Sequence, residues 1–387
     1  MRGPLLERLD LQGLELAPSQ VWGAVRIVPL LRRGAPGDLR LAKRSYAEDW
    51  TLVRLDGAPG RPGTAYLSYV PHGFVVSWSD DGTPVAAFGA SVYKADGKAV
   101  KGGPSVRLAH RMVRREQKNS LRLLPLHLAL EGFLSLHFGG PEIAWAEYSR
   151  SALSRGLSPR SEESYTGYAI AELDDALRLF EIHDDQVGSL LFVDGALGAA
   201  FVVSHPEDYR ALHRTLLLDM YPEVLLHYAR LAGPRVLEAG IEGAGIRSLG
   251  ELRSALDRLR GEWASFHRTM AAELLEISLN AERVYRAGPF QLQRFITSVD
   301  PKRVNHVGEA ILRQDGTIEY LKTYRLSAAQ TRRAFLLSQL AMYNWNLQAT
   351  ASALRQSTDE LIERLDKAGF GYLLKPHVIE EARRRRR

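Results

Sequence analysis

The sequence predicts an α+β protein: a β-rich N-terminal part, a mixed α/β body and an all-α tri-helical end. Three observations predict it. Strand-type runs separated by turn residues crowd residues 21–93, apolar positions fall at helical spacing from about residue 106, and three capped helical segments follow one another over 327–373. On this reading residues 1–105 are the β-rich part of the body and 106–325 its mixed helical and hairpin part. Residues 326–375 are the three-helix module and 376–387 a basic tail. Strands and helices do not alternate regularly, which argues against a doubly wound array. No repeat of solenoid or propeller period is visible.

The β-rich part begins with a strand-type run over 21–30, followed by runs at 50–55 and 65–70 around a Gly/Pro-rich stretch. Runs at 74–78 and 84–88 flank Asp80-Asp81-Gly82-Thr83, a hairpin signal because glycine accepts positive φ at little cost. Helical spacing then covers 121–138 and 172–180. A second hairpin is expected across Asp194-Gly195, between runs at 189–193 and 199–203. Ser204 is placed to cap a helix, with Pro206 in its first turn and Glu207 reaching back. A long helical pattern spans about 249–279, and a third hairpin turns at Asp315-Gly316 between 308–312 and 318–321.

Composition bounds the function. Of 387 residues, 45% are hydrophobic and 25% charged, enough for a sizeable core. There is no cysteine, which removes disulfides, thiolate metal sites and cysteine nucleophiles, and fits a cytoplasmic protein. The start lacks the apolar region of a signal peptide, and the apolar stretches 121–138 and 189–203 are too interrupted to span a bilayer, so no membrane partner is expected. The net charge of +6 sits mostly in the five arginines 383–387, leaving the rest close to neutral. Such a tail either holds phosphates or is a solvated end.

The functional signal lies in 327–373. Ser327 and Gln330 form a capping box opening the first helix, with Leu336, Leu340 and Tyr343 on one face. Asn344-Trp345-Asn346 breaks it. The second helix carries Leu347, Ala351 and Leu354, Arg355-Gln356 makes a tight turn, and Ser357 with Glu360 opens a third helix whose Leu361, Leu365 and Ala368 face inward. Gly369 suits a left-handed helix end and Phe370 packs back over the core. Asn346, Ala351, Leu354, Ser357, Leu361, Leu365 and Gly369 together resemble the Fis-type helix-turn-helix that ends many bacterial transcriptional activators. The resemblance implies a third helix presented to a major groove of duplex DNA. Its candidate DNA-binding residues are Thr358, Asp359, Ile362, Glu363, Arg364 and Lys367, with Arg332 and Arg333 on the first helix. Two features depart from that family. Arg355 stands where glycine is usual, and Asp359, Glu360 and Glu363 stand where the family commonly carries Arg and Lys.

The body carries a second resemblance. Ser189-Leu190-Leu191-Phe192-Val193 and Ala199-Ala200-Phe201-Val202-Val203, with Ser204-His205-Pro206-Glu207-Asp208-Tyr209 and Leu216-Leu217-Leu218-Asp219-Met220-Tyr221, resemble the ARG- and rhodanese-phosphatase-superfamily-associated protein domain over about 1–325. The resemblance implies a bacterial stress or ADP-ribose-related context and no activity. No catalytic constellation stands out: no HExxH, P-loop or nucleophile elbow is present. His183-Asp184-Asp185 reads as a solvated turn more readily than a metal cluster. Glu142, Glu147 and Tyr148 near Trp145, Gly102-Gly103, residues 240–245 and His72 have equally plain structural readings. No catalytic residue, cofactor or metal is expected. The leading expectation is a DNA-binding transcriptional regulator with a ligand- or partner-sensing body, acting on duplex DNA as a homodimer under a small-molecule or protein effector. A scaffold protein docking partners through the three-helix module is the alternative. An uncharacterised enzyme of nucleotide- or ADP-ribose-related stress metabolism is a third.

Overall fold

A computed structural model describes residues 5–35, 39–41, 137–138, 179–217, 245–287 and 289–385. It also describes the strand segments 52–54, 65–68, 75–78, 84–86 and 123–124 and the single residues Tyr221, Tyr228 and Leu231. The class is α+β. Its centre is a nine-stranded antiparallel sheet. The strands in it are β1 (Glu15–Leu16), β2 (Gln20–Trp22), β3 (Val25–Leu31), β10 (Gln186–Val193), β11 (Ala196–Val202), β12 (Leu279–Ala287), β13 (Phe290–Thr297), β14 (His306–Arg313) and β15 (Ile318–Arg325). Their order is β1-β3-β10-β11-β15-β14-β13-β12, with β2 also on β3, so the two parts of the body share one sheet. Two three-stranded sheets hold β4 (Leu39–Leu41) with β7 (Val75–Trp78) and β8 (Pro84–Ala86), and β5 (Leu52–Arg54) with β6 (Ala65–Ser68) and β9 (Leu123–Leu124).

Both faces of the large sheet are covered, because alternate residues on most strands are apolar on both sides. On one face Val25, Ile27, Leu191, Phe201, Val307 and Tyr320 pack on helix α1 (Pro206–Thr215) through Tyr209 and Leu212. On the other, Val28, Leu30, Leu190, Phe192, Phe295 and Leu321 meet Leu6, Leu9, Leu11 and Leu14 of the N-terminal segment. The same face meets Ala271 and Leu274 at the end of α2 (Leu249–Met270) and in α3 (Ala272–Leu275).

All three expected hairpins are present. Asp194 and Gly195 both take positive φ (49° and 79°) between β10 and β11, and Gly316 (φ 92°) turns β14 into β15. β7 pairs with β8 in antiparallel register, though the turn itself lies outside the described residues. Four readings of the body need correction. The run 21–30 is two strands, folded back at Gly23 (φ 58°) so that Trp22 opposes Val25. α1 is capped by His205, whose Nδ1 accepts from the Glu207 amide at 3.3 Å. Ser204 instead donates to the buried carboxylate of Glu319 at 2.6 Å. The helix at 249–279 ends at Met270, and the chain enters β12 from Leu279. Leu123–Leu124, read as the start of a helix, pairs in parallel with β6. The rest of that run, and 172–178 of the next, lie outside the described residues.

After β15 only Leu326 intervenes before the cap of α4 (Ala328–Met342), and its amide is fixed to the Asn305 carbonyl at 2.8 Å. α5 (Leu347–Ala353), α6 (Thr358–Leu365) and α7 (Pro376–Arg385) follow. Residues 376–385, expected as a tail, are therefore a helix. Its formation is explained by a Val378, Ile379, Ala382 stripe, with Ala382 buried at 1% exposure.

Candidate nucleic-acid interface

The module is built by its caps. Ser327 Oγ accepts from the Gln330 amide at 3.2 Å and Gln330 Oε1 accepts from the Ser327 amide at 2.8 Å. Asn344 and Trp345 both take positive φ (52° and 61°) and end α4, and Asn346 Oδ1 caps α5 at 2.9 Å. Between α5 and α6 Arg355 sits at φ 55°, the left-handed position at which the resembled motif prefers glycine. Ser357 and Glu360 then form the second reciprocal box, at 3.1 and 2.9 Å. Ala351, Leu361, Leu365 and Phe370 are buried with Ala334, Leu336, Leu337 and Leu340, and Gly369 closes the helix at φ 83°.

The candidate residues separate by face. Arg364 on α6, Lys367 just beyond its end and Arg332 on α4 are exposed, and Thr358 is half-buried. Ile362 is buried at 4% exposure, outside the apolar cluster that holds Leu361 and Leu365, and is out of reach of a base edge as the chain stands. Arg333 is also turned inward. Its guanidinium lies 4.4 Å from the Phe370 ring centre and donates to the Ala368 carbonyl, so it holds the end of α6. Glu363 is mostly covered and lies 3.6 Å from Lys367 one turn on.

α7 explains the acidic residues. Asp359, Ile362, Glu363 and Asp366 share one side of α6 by helical spacing. Arg385 pairs with Asp359 at 3.6 Å and Arg383 with Asp366, so α7 lies along that side. In a helix-turn-helix this is the side that meets the groove. The two arginines are 66% and 56% exposed, and such pairs contribute about 0–1 kcal/mol each. Ala382 is the one wholly buried side chain of α7. Arg383 and Arg385, expected as part of a phosphate-holding or solvated tail, instead pair with Asp366 and Asp359. The signal was available: an amphipathic spacing running into the arginines, and unmatched acids one helix earlier.

Elsewhere, His183, Asp184 and Asp185 form the turn before β10, where Asp184 lies 3.4 Å from Arg210. No group able to hold a metal is found among the described residues. Glu142, Trp145, Glu147, Tyr148, Gly102, Gly103, His72 and 240–244 lie outside them. Among the described residues no helix is long and apolar enough to cross a membrane.

Comparison with known families finds the ARPP-2 family over residues 9–288, from β1 through β12. The match ends before β13 and before the module, short of the 325 expected for the body. No curated protein and no solved structure matches the chain.

Proposed function

This chain belongs to the ARPP-2 family, and we propose that it is a DNA-binding regulator, an α+β body joined to a C-terminal helix-turn-helix. The supporting observation is the turn between α5 and α6, where a left-handed Arg355 and the Ser357 capping box set two short helices in the required sequence. Arg332, Arg364 and Lys367 supply exposed cations for phosphates. The groove-facing side of α6 is reached when α7 moves aside, which breaks two ion pairs and uncovers Ile362, Ala382 and the half-buried Val378 and Ile379. One short helix buries too little surface for useful specificity, so the active species is a homodimer.

The test is a mobility-shift titration of the full chain on genomic duplex fragments at about 50 and 200 mM salt. Retention is expected at the lower salt, to fall steeply at the higher, and to weaken in Arg364→Glu/Lys367→Glu. A chain ending at residue 375 is expected to bind more tightly than the full chain. Absence of retention by both at low salt sinks the proposal. A second reading, a module that docks a protein, is favoured by the acceptance of an arginine-bearing helix by acidic α6. A stoichiometric protein partner held through 327–375 without nucleic acid would select it.

A further inference from the structure

Arg26 lies in the middle of β3, directly across from Phe192 of β10, on the face covered by the end of α2. It is 1% exposed. Its Nε and Nη1 have no hydrogen-bond partner, and among the described residues no carboxylate pairs with it. The nearest compensation is the Phe266 ring of α2, 5.5 Å from the guanidinium carbon. His267, the next residue of α2, is fully buried with neither ring nitrogen partnered. It stacks on Phe192 at 6.5 Å and meets Trp263, one turn back, at 5.4 Å.

A guanidinium stays protonated in any protein site and presents five donors in a fixed fork. Burying it without a counter-charge costs several kcal/mol, more than one cation–π contact returns. Elsewhere this chain meets the rule: Arg32, 7% exposed, lies 2.8 Å from Glu319. One buried cation and one buried imidazole, each with unpartnered nitrogens, therefore lie beside Phe192 and beneath Trp263 and Phe266, which are only half-buried. Proximity to Arg26, added to burial, holds His267 down at about pKa 4.

We propose that Arg26 and His267 form a binding site for a small organic anion, a carboxylate or phosphate taken by the guanidinium fork with its apolar part against Trp263 and Phe266. The anion accepts from the open Arg26 donors and from a ring nitrogen of His267, which satisfies both residues together. This inference stands apart from the DNA-binding reading, and its test involves no DNA.

The full chain with 13C-labelled histidine is titrated with inorganic phosphate and, separately, with benzoate, following the His267 ring signals by NMR. Saturable movement is expected with one probe or both, and which one names the headgroup class. In the bound form the His267 pKa rises by roughly one unit or more, as an anion replaces the repulsion from Arg26. Arg26→Met removes a buried charge at similar volume, so it is expected to fold, and it abolishes the response. Arg26→Lys keeps a charge but loses the fork and weakens the response. No saturable movement with either probe up to about 10 mM, well beyond a useful affinity, overturns the proposal. A response unchanged in either variant overturns it as well.

Discussion

His306 is wholly buried in β14, where burial, and then the charge of Arg325, push its pKa down to about 3. An unfolded chain takes up that proton near pH 6.5, and the folded chain refuses it until about pH 3. The stability contributed is whole above the unfolded value and drains away as pH falls through the window, at up to about 1.4 kcal/mol per pH unit for each such histidine. His137 and His267, both held at about 4 mainly by burial, act with the same sign. The thermal midpoint of the full chain should therefore drop between pH 6.5 and 4, and His306→Gln should flatten the drop. A midpoint independent of pH there would show that these rings are solvated. Glu319 is the opposite case, a buried charge fully matched by Arg32, Arg313 and Ser204 from three separate segments. Glu319→Ala leaves two arginines behind and should cost about 3–5 kcal/mol in denaturant unfolding. A change below about 1 kcal/mol would mean that water replaces the carboxylate. These buried charges had a signature in the residues themselves. Glu309 shares its strand phase with Val307 and Ile311, and Lys322 with Tyr320 and Tyr324, so each stands at an inward position. The register then sets Glu282, Arg294, Glu309 and Lys322 side by side across four strands, with alternating sign. Burial holds Lys322 well below the usual lysine range while Glu309 pulls it back up. Phase was readable, but the partners were not, because pairing across strands is a property of register.

Local chemistry decides most elements, which is why hairpins and caps were legible. Asp194-Gly195 and Asp315-Gly316 announce turns because so few residues accept positive φ, and Ser357 with Glu360 announces a helix start for equally local reasons. Misreadings came where a tertiary contact outbid the local one. Ser204 carries a cap-competent hydroxyl, but the Glu319 carboxylate claims it, and His205 takes over the cap. Gly23 sits inside strand-forming residues, so the alternation ran on through a turn. The α5–α6 junction allows a test at this scale. Arg355 holds a left-handed conformation that costs a side-chain-bearing residue about 1–2 kcal/mol, and it is exposed. Arg355→Gly should stabilise the module by roughly 0.5–1 kcal/mol after glycine's larger entropy loss is subtracted. Ser357→Ala, which leaves the Glu360 amide unpaired at 3.1 Å from the missing oxygen, should destabilise it by about 1 kcal/mol. Amide exchange on α6 reads both, slowing in the first and quickening in the second. Equal exchange in both variants would mean that α7, and not the turn, limits opening of α6.

At the scale of the molecule, the module boundary at 326 is sharp in sequence and blurred in packing. The family match ends at residue 288, yet the sheet that it describes is completed by β13–β15, and the module follows β15 after one residue. The apolar cluster on the α1 face of the sheet continues from Val307, Tyr324 and Leu326 into Ala334, Leu336 and Leu337 without a break. No periodicity along the chain could report this, since both halves of the contact look like ordinary core positions. The consequence is mechanical. A module seated on the sheet through buried side chains moves with it, so a change at the body can be felt at α6, as a regulator requires and a tethered domain would not show. It also means that removing 326–387 opens the cluster, exposing apolar surface at about 25 cal/mol per Å². A chain ending at residue 325 should then unfold at lower urea than the full chain, with weaker exchange protection in β14 and β15. A chain ending at 375, which loses α7 with its buried Ala382, half-buried Val378 and Ile379 and two ion pairs, should have its urea midpoint lowered by less than that of the chain ending at 325. Were both truncations to match the full chain, the module would be an independent unit, and any signal between body and α6 would have to pass through the chain connection alone.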